Sequence, residues 1–108
     1  MAFVDTEQYT AGEVQQKVGR LKLSEALRIG ARLRPQGFGA PISRRDDGTS
    51  CAMQAIAEGM TGILTRTTHE AMELSGVSGL LCERIWMQND GYRLSRESIA
   101  DWLQSQGL

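Results

Sequence analysis

Eight cations lie between positions 17 and 45, namely Lys17, Arg20, Lys22, Arg28, Arg32, Arg34, Arg44 and Arg45, and Glu25 is the single acid among them. This stretch carries about +7 in a chain of net charge −1, which leaves about −8 for the remainder. A cationic face of this kind can recruit an acidic protein surface or a phosphate backbone. Six of its arginines could neutralise about four to six phosphates, with affinity falling steeply as salt rises. Arg44 and Arg45 stand close to Gly48, Thr49 and Ser50. Two guanidiniums, two hydroxyls and the free N–H groups of a helix start are together the ingredients of a phosphate site. Asp46 and Asp47 oppose that reading, and an exposed turn in which they offset the arginines is favoured over it.

Other residues with chemical potential are sparse. His69 is the only histidine and has no nucleophile at a recognisable spacing, so a solvated histidine is expected and not a general base. The phosphate-loop, zinc-protease and nucleophile-elbow motifs are missing, and Gly37-Phe38-Gly39 does not continue into a dinucleotide fingerprint. No enzyme activity, cofactor or metal is expected. Cys51 and Cys82 lack a second ligand at zinc spacing and read as small buried apolar residues. Trp86, Tyr92 and Trp102 cluster near the C-terminal end. Such residues anchor interfaces and also fill cores, and core is favoured for at least one tryptophan. Only Phe38 interrupts the basic stretch with an aromatic ring, which gives stacking on single-stranded nucleic acid little support.

These side chains need a scaffold, and 108 residues suffice for one domain, 1–108. An apolar fraction of 41% and a charged fraction of 23% are ordinary for a globular protein. The apolar runs are too short to span a bilayer, and acids follow Met1–Val4 at once, so a cytoplasmic protein with no membrane association is expected. Residues 1–9 read as a flexible N-terminus, followed by a short helix over 11–19 that the Thr10/Glu13 pair caps. Ser24 is placed to cap a helix that Pro35 stops, with Arg28 and Arg32 one turn apart on its polar face. Residues 35–50 form a long loop. Thr49 or Ser50 then caps a helix through Ala52, Ala55, Ile56 and Met60, whose small side chains suit it to the centre of the packing. Gly62–Thr67 permits a short strand that pairs with Leu21–Leu23, and Thr67 with Glu70 opens the next helix. Ser78 and Ser95 begin the last two helices, the first closing near Asn89-Asp90-Gly91, and these form an α-hairpin. The fold expected is all-α, with four to five short helices.

Three stretches, LSEALRIGARLRPQGFG, DGTSCAMQAIAEG and NDGYRLSRESIADWL, resemble a family of short, uncharacterised bacterial and phage proteins. The resemblance covers about half the chain. It implies no activity, cofactor or catalytic residue, and suggests an accessory protein that binds a host protein or nucleic acid. The expected function is therefore non-enzymatic binding of a host protein with an acidic surface through Arg28, Arg32, Arg34, Arg44 and Arg45. Direct binding of DNA or RNA by the same face is the alternative, and homo-oligomerisation stays open.

Overall fold

The computed structural model describes residues 21–39 and 47–108. The helix expected over 11–19 and the N-terminal residues 1–9 lie outside the described residues. The fold is all-α: α1 (Leu23–Ala31), α2 (Ala52–Thr61), α3 (Thr68–Ser75), α4 (Gly79–Trp86), a π-helical turn (Met87–Gly91) and α5 (Arg96–Ser105).

Local chemistry starts each helix. The Glu25 carboxylate accepts the Lys22 N–H at 3.1 Å at the head of α1. Ser24, the expected cap, is instead inside the helix and buried. At α2 the Gln54 side chain accepts the Cys51 N–H at 3.0 Å, so neither Thr49 nor Ser50 is the capping residue. The hydroxyls of Thr67, Ser78 and Ser95 accept the N–H groups of Glu70, Leu81 and Ser98, as their spacing predicts. Gly62 closes α2 with φ of 81° and donates its N–H to Glu58 O at 2.7 Å.

Packing centres on α2, where every residue from Ala52 to Glu58 is buried. Its most extensive partner is α1, and the two backbones meet at a reciprocal pair of glycines. A Cβ on Gly30 would lie 1.8 Å from Ala55 O, and one on Gly59 would lie 1.9 Å from Ala26 O. No side chain larger than hydrogen fits between the helices at either point. Leu27, Ile56, Ile85, Ile99 and Leu103 are the largest apolar side chains in the core this crossing organises.

Three expectations are corrected. The last two helices do not pack as an α-hairpin: α5 lies chiefly against α1, while α4 contacts α2 and the π-helical turn. The reason is the buried face of α5, Ile99, Ala100 and Leu103, which covers the core beside Ala26 and Leu27. The minor strand pair is not formed among the described residues, where the lone bridge joins Gln36 to Ser50. Leu23 belongs to α1, and the Thr65 carbonyl is taken by Gln54 Nε2 at 3.0 Å rather than by a strand. Gly91 does not close the penultimate helix in a left-handed conformation; a wider turn continues to Tyr92, whose N–H donates to Met87 O at 2.9 Å. The left-handed residue is Arg93, φ 54°, with its guanidinium 4.6 Å above the Phe38 ring.

Candidate functional site

Two of the four described cations of the basic stretch are spent on the protein itself. Arg28 donates to Glu97 Oε2 at 2.8 Å and to Asp101 Oδ1 at 2.6 Å, and so links α1 to α5. Hydrogen bonds to Glu97 and then to Asp101 raise its pKa further above the ordinary arginine value. Arg34 makes a bidentate contact with Glu58, which is only 7% exposed, with bonds of 3.0, 3.2 and 3.0 Å. Its guanidinium pKa is raised by that carboxylate for the same reason. Arg32 is exposed and has no ion-pair partner among the described residues. Arg44 and Arg45 lie outside the described residues, as do Lys17 and Arg20. Of the five arginines read as a binding face, two are therefore structural clamps, because the tertiary fold brings acids from positions 58, 97 and 101 onto them.

The hydroxyls and the helix start of the phosphate site, its described ingredients, are likewise engaged within the protein. Thr49 turns its hydroxyl to Asp47 Oδ1 at 2.5 Å. Ser50 is fully buried and accepts from Arg96 Nη1 through its Oγ at 2.8 Å and its carbonyl at 3.2 Å. The Ala52 N–H at the start of α2 donates to Asn89 Oδ1 at 3.2 Å.

Asn89 was not singled out by the sequence, yet it is the polar hub of this region and 1% exposed. Its Oδ1 accepts from Gln36 Nε2 at 2.8 Å as well as from Ala52, and its Nδ2 donates to Gly37 O at 3.1 Å and Asp90 Oδ1 at 2.7 Å. A side chain on the π-helical turn thus ties together the loop before α2, the start of α2 and its own neighbour. Asn89→Leu preserves size but leaves the Ala52 N–H and Gly37 carbonyl unpaired, which costs about 1–3 kcal/mol for each buried group. We expect a loss of about 3 kcal/mol, read from the urea midpoint; an unchanged midpoint would show that these groups find other partners.

A concave surface lies between α2, α3, α4 and the π-helical turn. It is a cleft of about 430 Å³. Ala52, Met53, Met72 and Cys82 make its apolar wall, Trp86 lies at its edge, and Glu83 and Asp90 supply acids. The two cysteines, 31 positions apart, both reach this cleft without forming a disulfide, and burial pushes the Cys82 thiol pKa up so that it stays protonated at neutral pH. Trp86 is 47% exposed, whereas Trp102 is half-buried against the core. No family model, curated protein or solved structure matches this chain.

Leu80 is 66% exposed on α4, next in sequence to the lining residue Gly79, and Met87 and Tyr92 are exposed on the segment that follows. His69 is far from this chemistry in character: it is exposed on α3 and stands 3.7 Å from Glu73, one turn away. Among the described residues no three His, Cys, Asp or Glu side chains are grouped to hold a metal ion, and no helix is long and apolar enough to cross a membrane. Spacing could have flagged Cys82, Glu83 and Trp86 as neighbours on one helix face. The cleft itself needed Met53 and Met72, which come from other helices.

Proposed function

We propose that the protein is a non-enzymatic binding module whose partner is another protein, seated on Trp86 and the cleft it lines. The carrying observation is the half-exposed Trp86 at the edge of a 430 Å³ apolar cleft. A cleft of that size accepts an anchoring side chain, and exposed Trp, Tyr and Met beside such a cavity are the residue types that dominate binding energy at protein interfaces. Leu80, Met87 and Tyr92 add exposed apolar side chains on α4 and the segment after it, outside the cleft lining, and such side chains suit a protein partner better than a metabolite. Resemblance to short bacterial and phage proteins suggests a host protein as the partner class.

Binding of an acidic surface, DNA or RNA through the basic face is the competing reading. A phosphate or carboxylate would there have to displace Glu97 and Asp101 from Arg28 and Glu58 from Arg34. A photo-crosslinking residue placed at Leu80, and separately at Arg32, separates the two in cells. The expected result is one protein crosslinked from position 80, whose purified form binds the module and loses about tenfold or more in affinity on Trp86→Ala, as a hot-spot residue would. Crosslinks from position 32 alone, or from neither, overturn the reading, as does an affinity indifferent to Trp86→Ala.

A further inference from the structure

We infer that the anchor accepted by the cleft is an apolar group carrying a cation, as in an aromatic or aliphatic side chain adjoining an arginine or lysine; this rests on the cleft reading above. Among the described residues the charges that line the cavity are one-sided: Glu83 and Asp90 do so, and no lysine, arginine or histidine does. Among the described residues no ion pair neutralises either acid. Both therefore bring net negative charge to a wall of low polarity, where an incoming cation is attracted and an anion repelled more strongly than on open surface.

Asp90 is held in place. Its Oδ1 accepts the Gly39 N–H at 3.1 Å and Asn89 Nδ2 at 2.7 Å, from opposite sides of the loop and turn. Those bonds leave its remaining lone pairs for an outside donor. Glu83 stands on α4 three residues before Trp86, so carboxylate and indole share one helix face at the cleft. An aromatic face next to a carboxylate suits a guanidinium, which can stack on the ring while its edge donates to the acid. The apolar wall of Met53, Met72 and Cys82 then receives the uncharged part of the anchor, and methionine adapts its shape to the group it meets.

Three probes of matched size test this on the full chain: 2-phenylethylguanidinium, 2-phenylethanol and 3-phenylpropionate. Binding is read from the shifts of the Met53 and Met72 methyl resonances and from the slowing of Cys82 alkylation. The guanidinium should bind about tenfold more tightly than the alcohol, and the alcohol more tightly than the carboxylate. Glu83→Gln should shrink the preference for the cation while leaving the alcohol unaffected, and Glu83→Lys should reverse the order. Equal binding of all three probes would overturn the charge selection and leave the cleft reading standing. No methyl shift with any probe would overturn both.

Discussion

Gly59→Ala is expected to destabilise the protein by about 3 kcal/mol, although alanine is the better helix former. Helix propensity alone predicts the opposite sign, a gain of about 1 kcal/mol from replacing a helical glycine. The new methyl would sit 1.9 Å from Ala26 O, 2.8 Å from Ala26 C and 2.9 Å from Gly30 N. All three are backbone atoms, so no rotamer change relieves the contact and α1 must move away from α2. Forcing extra carbon into a packed core costs about 1–3 kcal/mol and occasionally more. Backbone against backbone belongs at the upper end of that range. Against a total stability of about 5–15 kcal/mol for a small domain, this is a large fraction. Gly30→Ala should behave alike, because its methyl meets Ala55 O at 1.8 Å. The double variant should cost less than the sum of the two, since one separation of the helices relieves both clashes. Urea titrations of the four proteins check this; a raised midpoint in either single variant would mean that the crossing is looser than described.

Arg96→Met carries the second large effect, again of about 3 kcal/mol. The guanidinium is 7% exposed and has no carboxylate partner among the described residues. Its Nη2 donates to Ala31 O at 3.3 Å and Arg34 O at 2.6 Å, and its Nη1 to Ser50 O and Oγ. The cation therefore closes the C-terminal end of α1, where the helix dipole favours positive charge, and pins the segment entering α2. Desolvation lowers its pKa from the ordinary arginine value, a sign that burial of the charge is unfavourable in itself. Methionine would relieve that penalty, and replacing whole buried ion pairs by apolar groups is often neutral. Here the acceptors remain behind. The Ala31 and Arg34 carbonyls and the Ser50 hydroxyl lose this donor, at about 1–3 kcal/mol for each acceptor that stays dry, while the Ser50 carbonyl keeps the Gly37 N–H. Solvent reaches the partly exposed end of α1, so the expected sum is nearer the middle of that range than its limit. Arg96→Lys should recover part of the loss, because an ammonium supplies donors but not the planar fork. A methionine variant as stable as the parent would show that desolvation outweighs the lost bonds.

Much of the fold was legible because its signals are local. Thr67 with Glu70, Ser78 and Ser95 each bond within their own turn, so a few residues of sequence contain both partners. The small side chains of α2, such as Ala52 and Ala55, marked it as a helix that others approach closely, and the structure shows that approach at Gly30 and Gly59, which the sequence did not single out. Where two local partners competed, the sequence pointed to the wrong one. Ser24 and Ser50 have good capping chemistry, but each is buried, and the long side chains of Glu25 and Gln54 reach the neighbouring backbone N–H groups instead.

The candidate site was much less legible. Counting charges showed a basic segment, yet Arg28 meets acids 69 and 73 positions away and Arg34 meets one 24 positions away. No window of sequence contains those pairs. Trp86 and Trp102 look equivalent as residues, and only the direction of each helix face decided that one is half-exposed beside a cleft while the other packs on the core.

The sequence by itself determined the helices, the starts of the last three and the all-α class, because capping and amphipathic spacing act over one or two turns. Tertiary structure alone decided which charges remain available, which aromatic ring meets solvent, and where an apolar cleft opens. Those properties depend on residues far apart in the chain meeting in space.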